Sequence, residues 1–126
     1  MLSLILLPDR YEVCRLDKDE SIPASLLNKA DFISVTRTAE ELSIVCTENT
    51  VSDCTKVQKG MRAFKIEGPL SFTLTGVLAS LINPLSEQGI SVFAISTYDT
   101  DYLLVQEEDL LSAIDVLQGV CTIKEG

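Results

Sequence analysis

Asp99 and Asp101 stand with Ser96, Thr97, Tyr98 and Thr100 between two apolar runs, in the stretch ISTYDTDYLLV that begins at Ile95. A carboxylate in such a turn can hold an ammonium group through a charge-assisted hydrogen bond. Some twenty residues earlier, Gly68 to Gly76 (GPLSFTLTG) opens a stretch of helical pattern with no bulky charge. The first N–H groups of a helix have no partner within it and attract an anion such as a carboxylate. If Asp99 approaches Thr75 and Gly76, the pair would hold both ends of a zwitterionic amino acid. The competing account is that Asp99, Thr100 and Asp101 only close a hairpin, as Asp and Thr commonly do. Asp101 is read that way.

Other chemistry lacks its residues. The chain has no histidine to titrate near neutrality, no evident nucleophile and base pair, no glycine-rich phosphate loop and no metal-ligand spacing. Acid–base work by Asp99 and Asp101 would need one of them buried, and a hairpin turn is usually wet. Cys14, Cys46, Cys54 and Cys121 form no Cys-x-x-Cys pair. Three of them follow a valine, where a thiol acts as a small hydrophobe, so all four are expected to be reduced and free of metal. No catalysis, no cofactor and no metal are expected.

Ten basic against nineteen acidic residues give a net charge of −9, which argues against nucleic acid or an anionic membrane as a partner. Met1 to Leu7 is apolar but stops at Pro8-Asp9, too short for a membrane span and without a cationic leader. It reads as a strand, and the protein as cytoplasmic. With 46% apolar and 23% charged residues, a folded domain with a packed core is expected.

The elements that would position Asp99 and Gly76 follow from the apolar pattern. Met61 to Glu67 reads as a strand that Gly68-Pro69 ends. Val77, Leu78, Leu81, Ile82 and Leu85 share one helical face, with Thr73 or Thr75 as cap, Gly89 past the end and Pro84 interrupting the helix with a kink near Ser80. Ile90 to Ser96 and Tyr102 to Gln106 read as a hairpin, Glu107 to Leu117 as a helix with Leu110, Leu111, Ile114 and Leu117 on one face, and Val120 to Lys124 as a last strand. Strand, helix, strand, strand, helix, strand is the split βαβ plan of ferredoxin-like domains.

Shifting the sequence by sixty positions aligns Val35 with Ile95, Ile44 with Leu104 and Val45 with Val105. The first half therefore reads as a looser copy. It has strands at Leu2 to Leu7 and Tyr11 to Leu16, a short helix at Pro23 to Ala30, a hairpin of Phe32 to Arg37 with Leu42 to Thr47, and a helix at Val51 to Gln58. The expected fold is α+β, two tandem ferredoxin-like (βαββαβ) modules at 1–60 and 61–126 packed as one compact unit.

The motifs T-G-V-L-A-S from Thr75, P-L-x-E-x-G-I-S-V-F from Pro84 and I-S-T-Y-D-T-D-Y from Ile95 resemble those of tandem ACT-domain proteins, both small bacterial ones and the ACT regions of CASTOR-type arginine sensors. The resemblance implies two ACT modules and a non-catalytic, allosteric amino-acid sensor whose ligand lies where modules meet. It also implies the ligand-binding positions, Thr73, Leu74, Thr75, Gly76 and Val77 at the helix start with Ser96, Thr97, Tyr98 and Asp99 at the strand end. In the arginine sensors that this stretch resembles, an acidic residue in the helix-start loop helps bind the guanidinium, whereas Phe72 to Thr75 offers only apolar and hydroxyl groups, so the identity of the amino acid stays open.

The expected function is regulatory binding of an amino acid or similar small zwitterion by a homodimer that acts on a protein partner. The alternative is a ligand-free interaction module that docks onto an enzyme, transporter or regulator.

Overall fold

The computed structural model describes residues 2–27, 32–67 and 76–126. Among these, the strands are β1 (Leu2–Leu6), β2 (Tyr11–Leu16), β3 (Ser34–Arg37), β4 (Leu42–Thr47), β5 (Lys56–Ile66), β6 (Phe93–Ser96), β7 (Asp101–Gln106) and β8 (Cys121–Glu125). The α-helices are α1 (Val77–Glu87) and α2 (Leu110–Leu117), and short 3-10 turns cover Ala24–Leu26 and Glu107–Asp109. The chain forms two compact units, a discontinuous one of Met1–Pro8 with Arg62–Gly126 and a continuous one of Asp9–Met61.

In the discontinuous unit the order β5, α1, β6, β7, α2, β8 follows the expected ferredoxin-like plan. β6 and β7 form the hairpin, with Phe93 opposite Leu104 and Ser96 opposite Asp101, and β7 also pairs with β5. The division expected at residue 60 changes in one respect. β1, assigned from sequence to the first module, lies between β5 and β8, antiparallel to β5 (Leu4 opposite Ile66) and parallel to β8 (Leu4 opposite Ile123). Its alternating pattern explains the fit, because Leu4 and Leu6 join Phe64, Ile66, Leu103 and Val105 in one core with Leu81 and Leu85 of α1 and Leu110, Ala113 and Leu117 of α2. Each of the leucine, isoleucine, valine and phenylalanine side chains contributes about 1.5–3 kcal/mol when fully buried.

Pro84 does not end α1, which runs on to Glu87. A proline inside a helix costs about 3 kcal/mol. Leu81 and Leu85, both at 0% exposure on either side of it, hold the helix on the sheet against that cost. Gly89 takes the left-handed conformation (φ 73°), and Ile90 N–H closes the end on Leu85 O at 3.0 Å. On α2 the apolar face is Leu110, Ala113 and Leu117, while Leu111, expected to be on that face, is 82% exposed.

In the continuous unit the strand order is β3-β4-β2-β5. β3 and β4 form the expected hairpin, with Ser34 opposite Val45 and Arg37 opposite Leu42. Its core is Cys14, Leu16, Leu26, Leu42, Ile44, Cys46 and Val51. One expectation fails here, and another falls partly outside the described residues. The helix read at Val51 to Gln58 is a loop followed by the start of β5, where Val57 pairs with Cys14. Val51 to Thr55 is built of poor helix formers, and the strand register takes the β-branched Val57. Of the helix read at Pro23 to Ala30, the described part is the single 3-10 turn, and residues 28–30 lie outside the described residues.

The cysteines also depart from expectation. Cys14 and Cys54 form a disulfide, with their Cα atoms 5.6 Å apart. Cys14 points from β2 into the core, and the loop after β4 passes directly over it, a separation within the usual range for a bridge. Cys46 and Cys121 stay as buried thiols.

Candidate functional site

The predicted site residues lie on two elements of the discontinuous unit. Ser96 ends β6, Thr97, Tyr98 and Asp99 form the turn that follows, and Val77 is the first residue of α1. Thr73, Leu74 and Thr75 lie outside the described residues. Gly76 occupies the cap position of α1 in the left-handed conformation (φ 78°), with no side-chain cap hydrogen bond among the described residues; the hydroxyl cap expected from Thr73 or Thr75 falls outside them. A left-handed residue strains any L side chain, which is why glycine serves there. Among the described residues a Cβ at Gly76 would meet nothing within 4 Å, so the constraint seen there is the left-handed backbone.

The turn is closed by its own hydroxyls. Thr97 N–H donates to Thr100 O at 2.8 Å, and Thr97 Oγ1 accepts Thr100 N–H at 3.3 Å. Ser96 Oγ donates to Asp101 Oδ1, which holds Asp101 in the base of the hairpin. Asp99 is exposed and makes no hydrogen bond or ion pair with any described residue. The two carboxylates thus differ in setting: Asp101 is held in the turn by Ser96, and Asp99 is exposed.

Sequence reasoning missed Thr100. It is 5% exposed, and its Oγ1 donates a 2.6 Å hydrogen bond to Ile66 O. That bond fixes the hairpin turn to the end of β5, two residues before the chain enters 68–75. A threonine in a turn looks solvated from sequence alone, and only the sheet topology shows that β7 lies beside β5.

A buried carboxylate, Glu12 at 1% exposure in the continuous unit, accepts Asn49 N–H at 2.9 Å. It sits where the register between β2 and β5 shifts, and nearby Glu48 accepts the N–H of Gly60 (φ 75°). These carboxylates satisfy backbone donors at a bulge. Among the described residues no group of three or more His, Cys, Asp or Glu side chains could hold a metal ion, and no helix is long and apolar enough to cross a membrane.

An ACT-domain family model matches residues 56–119, and a second model, for an N-terminal domain, matches residues 9–53. The human protein CASTOR3P is 33% identical over 110 positions, covering 75% of this chain and 66% of that protein. Human cytosolic arginine sensor for mTORC1 subunit 1 is 28% identical over 101 positions, covering 71% of this chain and 31% of the sensor. The chain thus spans about a third of the length of that sensor. A crystal structure of an Agobacterium tumefaciens protein matches with a TM-score of 0.90 and 38% identity, covering 99% of this chain and 93% of that one. The ligand-free regulatory subunit of Thermus thermophilus aspartate kinase shares the fold, with a TM-score of 0.66 and 10% identity over 92% of this chain and 95% of that one. With the βαββαβ order of the discontinuous unit and the family model across residues 56–119, the chain belongs to the ACT-domain family.

Proposed function

We propose that this chain is a non-catalytic regulatory protein that binds an amino acid at the start of α1 and the turn after β6, facing a second ACT module. The observation that carries this reading is the exposed carboxylate of Asp99, without a hydrogen bond or ion pair to any described residue, on a turn held by Ser96, Thr97, Thr100 and Asp101. Asp99 takes the ligand's ammonium, and the amides around Thr75 and Gly76 take its carboxylate. Thr73, Leu74, Val77, Ser96, Thr97 and Tyr98 line the same site. The relationship to a cytosolic arginine sensor supports an amino-acid ligand and a cytoplasmic setting, with the sequence divided into two ACT-like modules. The protein works as a homodimer and passes the ligand signal to a protein partner.

Thermal-shift screening against the twenty amino acids tests this, since a ligand at a hundred times its dissociation constant adds about 2.7 kcal/mol of stability. A second reading, a ligand-free docking module, draws on β6. Among the described residues this strand pairs only with β7, and it carries Phe93 at 38% exposure. Silence across the whole amino-acid panel would favour it.

A further inference from the structure

We infer that the Cys14–Cys54 disulfide is a reversible redox latch on a cleft of the continuous unit, opened by exchange with a small dithiol at Cys54. The inference is independent of the amino-acid site, which lies on other elements. The cleft holds about 300 Å³ between two walls, one from the end of β2 through the 3-10 turn (including Leu16, Glu20 and Ser25) and one from the loop after β4 (Val51, Ser52 and Asp53). The bridge ties the two walls together: Cys14 lies two residues before Leu16, and Cys54 directly follows Asp53.

The two sulfurs have unequal access. Cys14 is at 0% exposure in the core, whereas Cys54 is only half-buried at the edge of the loop. A thiolate from solvent therefore reaches Cys54. The dithiol's first sulfur attacks Cys54 Sγ, the Cys14–Cys54 bond breaks, and Cys14 leaves as a thiolate that takes up a proton. The dithiol's second sulfur then displaces Cys54, so that the reductant departs as a cyclic disulfide and two protein thiols remain. Two electrons pass to the protein, and a small disulfide of the same class runs the exchange backwards.

The fold keeps the open state local. Glu48 N–H donates to Arg10 O at 3.0 Å at one end of the loop, and at the other Thr55 N–H and Thr55 Oγ1 both donate to Arg15 O at 2.8 Å. Between them Val51 is 7% exposed and packed into the core. With both ends anchored, the sulfurs stay close after reduction and re-form the bond within the molecule. The freed piece is the Ser52–Cys54 wall of the cleft.

Peptide mapping without reductant, followed by hydrogen exchange of the oxidised, dithiothreitol-reduced and Cys54→Ser proteins, tests this. The expected result is a linked Cys14–Cys54 peptide and exchange about tenfold faster over residues 52–54 in both the reduced and the Cys54→Ser forms, with β2 and β4 still protected. Removing dithiothreitol and adding oxidised glutathione restores the slow exchange of the wild type only. Absence of the linked peptide, unchanged exchange on reduction, or loss of protection throughout β2 and β4 would each overturn the latch.

Discussion

Thr100 Oγ1 donates to Ile66 O at 2.6 Å, joining the turn between β6 and β7 to the end of β5 through a side chain only 5% exposed. The bond gives the outward Asp99 a fixed base. Thr100→Val keeps the shape but leaves the Ile66 carbonyl without its donor, and stability should fall by about 1–3 kcal/mol. Thr100→Ser should keep most of it. Urea unfolding of the two variants checks this, and equal stability for Thr100→Val and wild type would show that the bond contributes nothing.

Asp99→Asn should leave the fold intact, since amide and carboxylate are nearly isosteric, and remove a charge-assisted contact worth roughly 1.5–3 kcal/mol. Affinity for the amino acid found by screening should drop about ten- to a hundredfold. Asp101→Asn, at a position held by Ser96, should change affinity little. Calorimetric titration distinguishes the two; unchanged affinity in Asp99→Asn would reduce the stretch to a solvated turn.

Burial raises the Cys121 thiol above its ordinary value of 9.0. A raised folded value means that the folded state holds its proton more tightly than the unfolded one. The associated stability is therefore present below pH 9.0 and is lost as pH rises through the raised folded value. The stability advantage of wild type over Cys121→Ala should accordingly shrink above that pH. Denaturant midpoints of both proteins across the alkaline range measure it, and a constant difference would count against a buried, titrating thiol.

Leu81→Ala should cost about 2–5 kcal/mol, because Leu81 is at 0% exposure and its loss leaves a cavity beneath α1. Leu111→Ala, at a residue 82% exposed, should stay within about 0.5 kcal/mol of wild type. Thermal unfolding of the pair tests the buried position of Leu81 on α1 and the outward position of Leu111 on α2.

Periodicity made the second half of the chain legible. The spacing of Leu81 and Leu85 announced α1, and the alternation around Phe64 and Ile66 announced the end of β5. It misplaced Leu111, because an 8-residue helix leaves the edge of an apolar stripe poorly defined. The pattern of Leu2 to Leu6 identified a strand but not its neighbours, since alternation fixes which residues face a core and not which strand lies alongside. Val51, Cys54 and Val57 recur every three residues, a spacing that a loop ending in a strand can also carry. Cys14 and Cys54 are forty positions apart, and only the pairing of β2 with β4 and β5 brings them together. At the candidate site, Asp99 and Asp101 are the same residue type and differ only in position in the turn, whereas the anchoring role of Thr100 depended on long-range pairing.

Because β1 lies between β5 and β8, its neighbours are made long after it. Leu4 waits for Ile66 on one side and Ile123 on the other, so closing the sheet joins distant parts of the chain. Such long-range closure is slow, as the entropy of a large loop is lost before the contacts form. Asp9–Met61 can close first on pairings within its own segment. Through that interval Leu2, Leu4 and Leu6 lie on a strand with both edges bare, the state most prone to pairing with another chain. β5 can cover one edge of β1 once Ile66 is made, but the other edge stays bare until Cys121–Glu125 is synthesised.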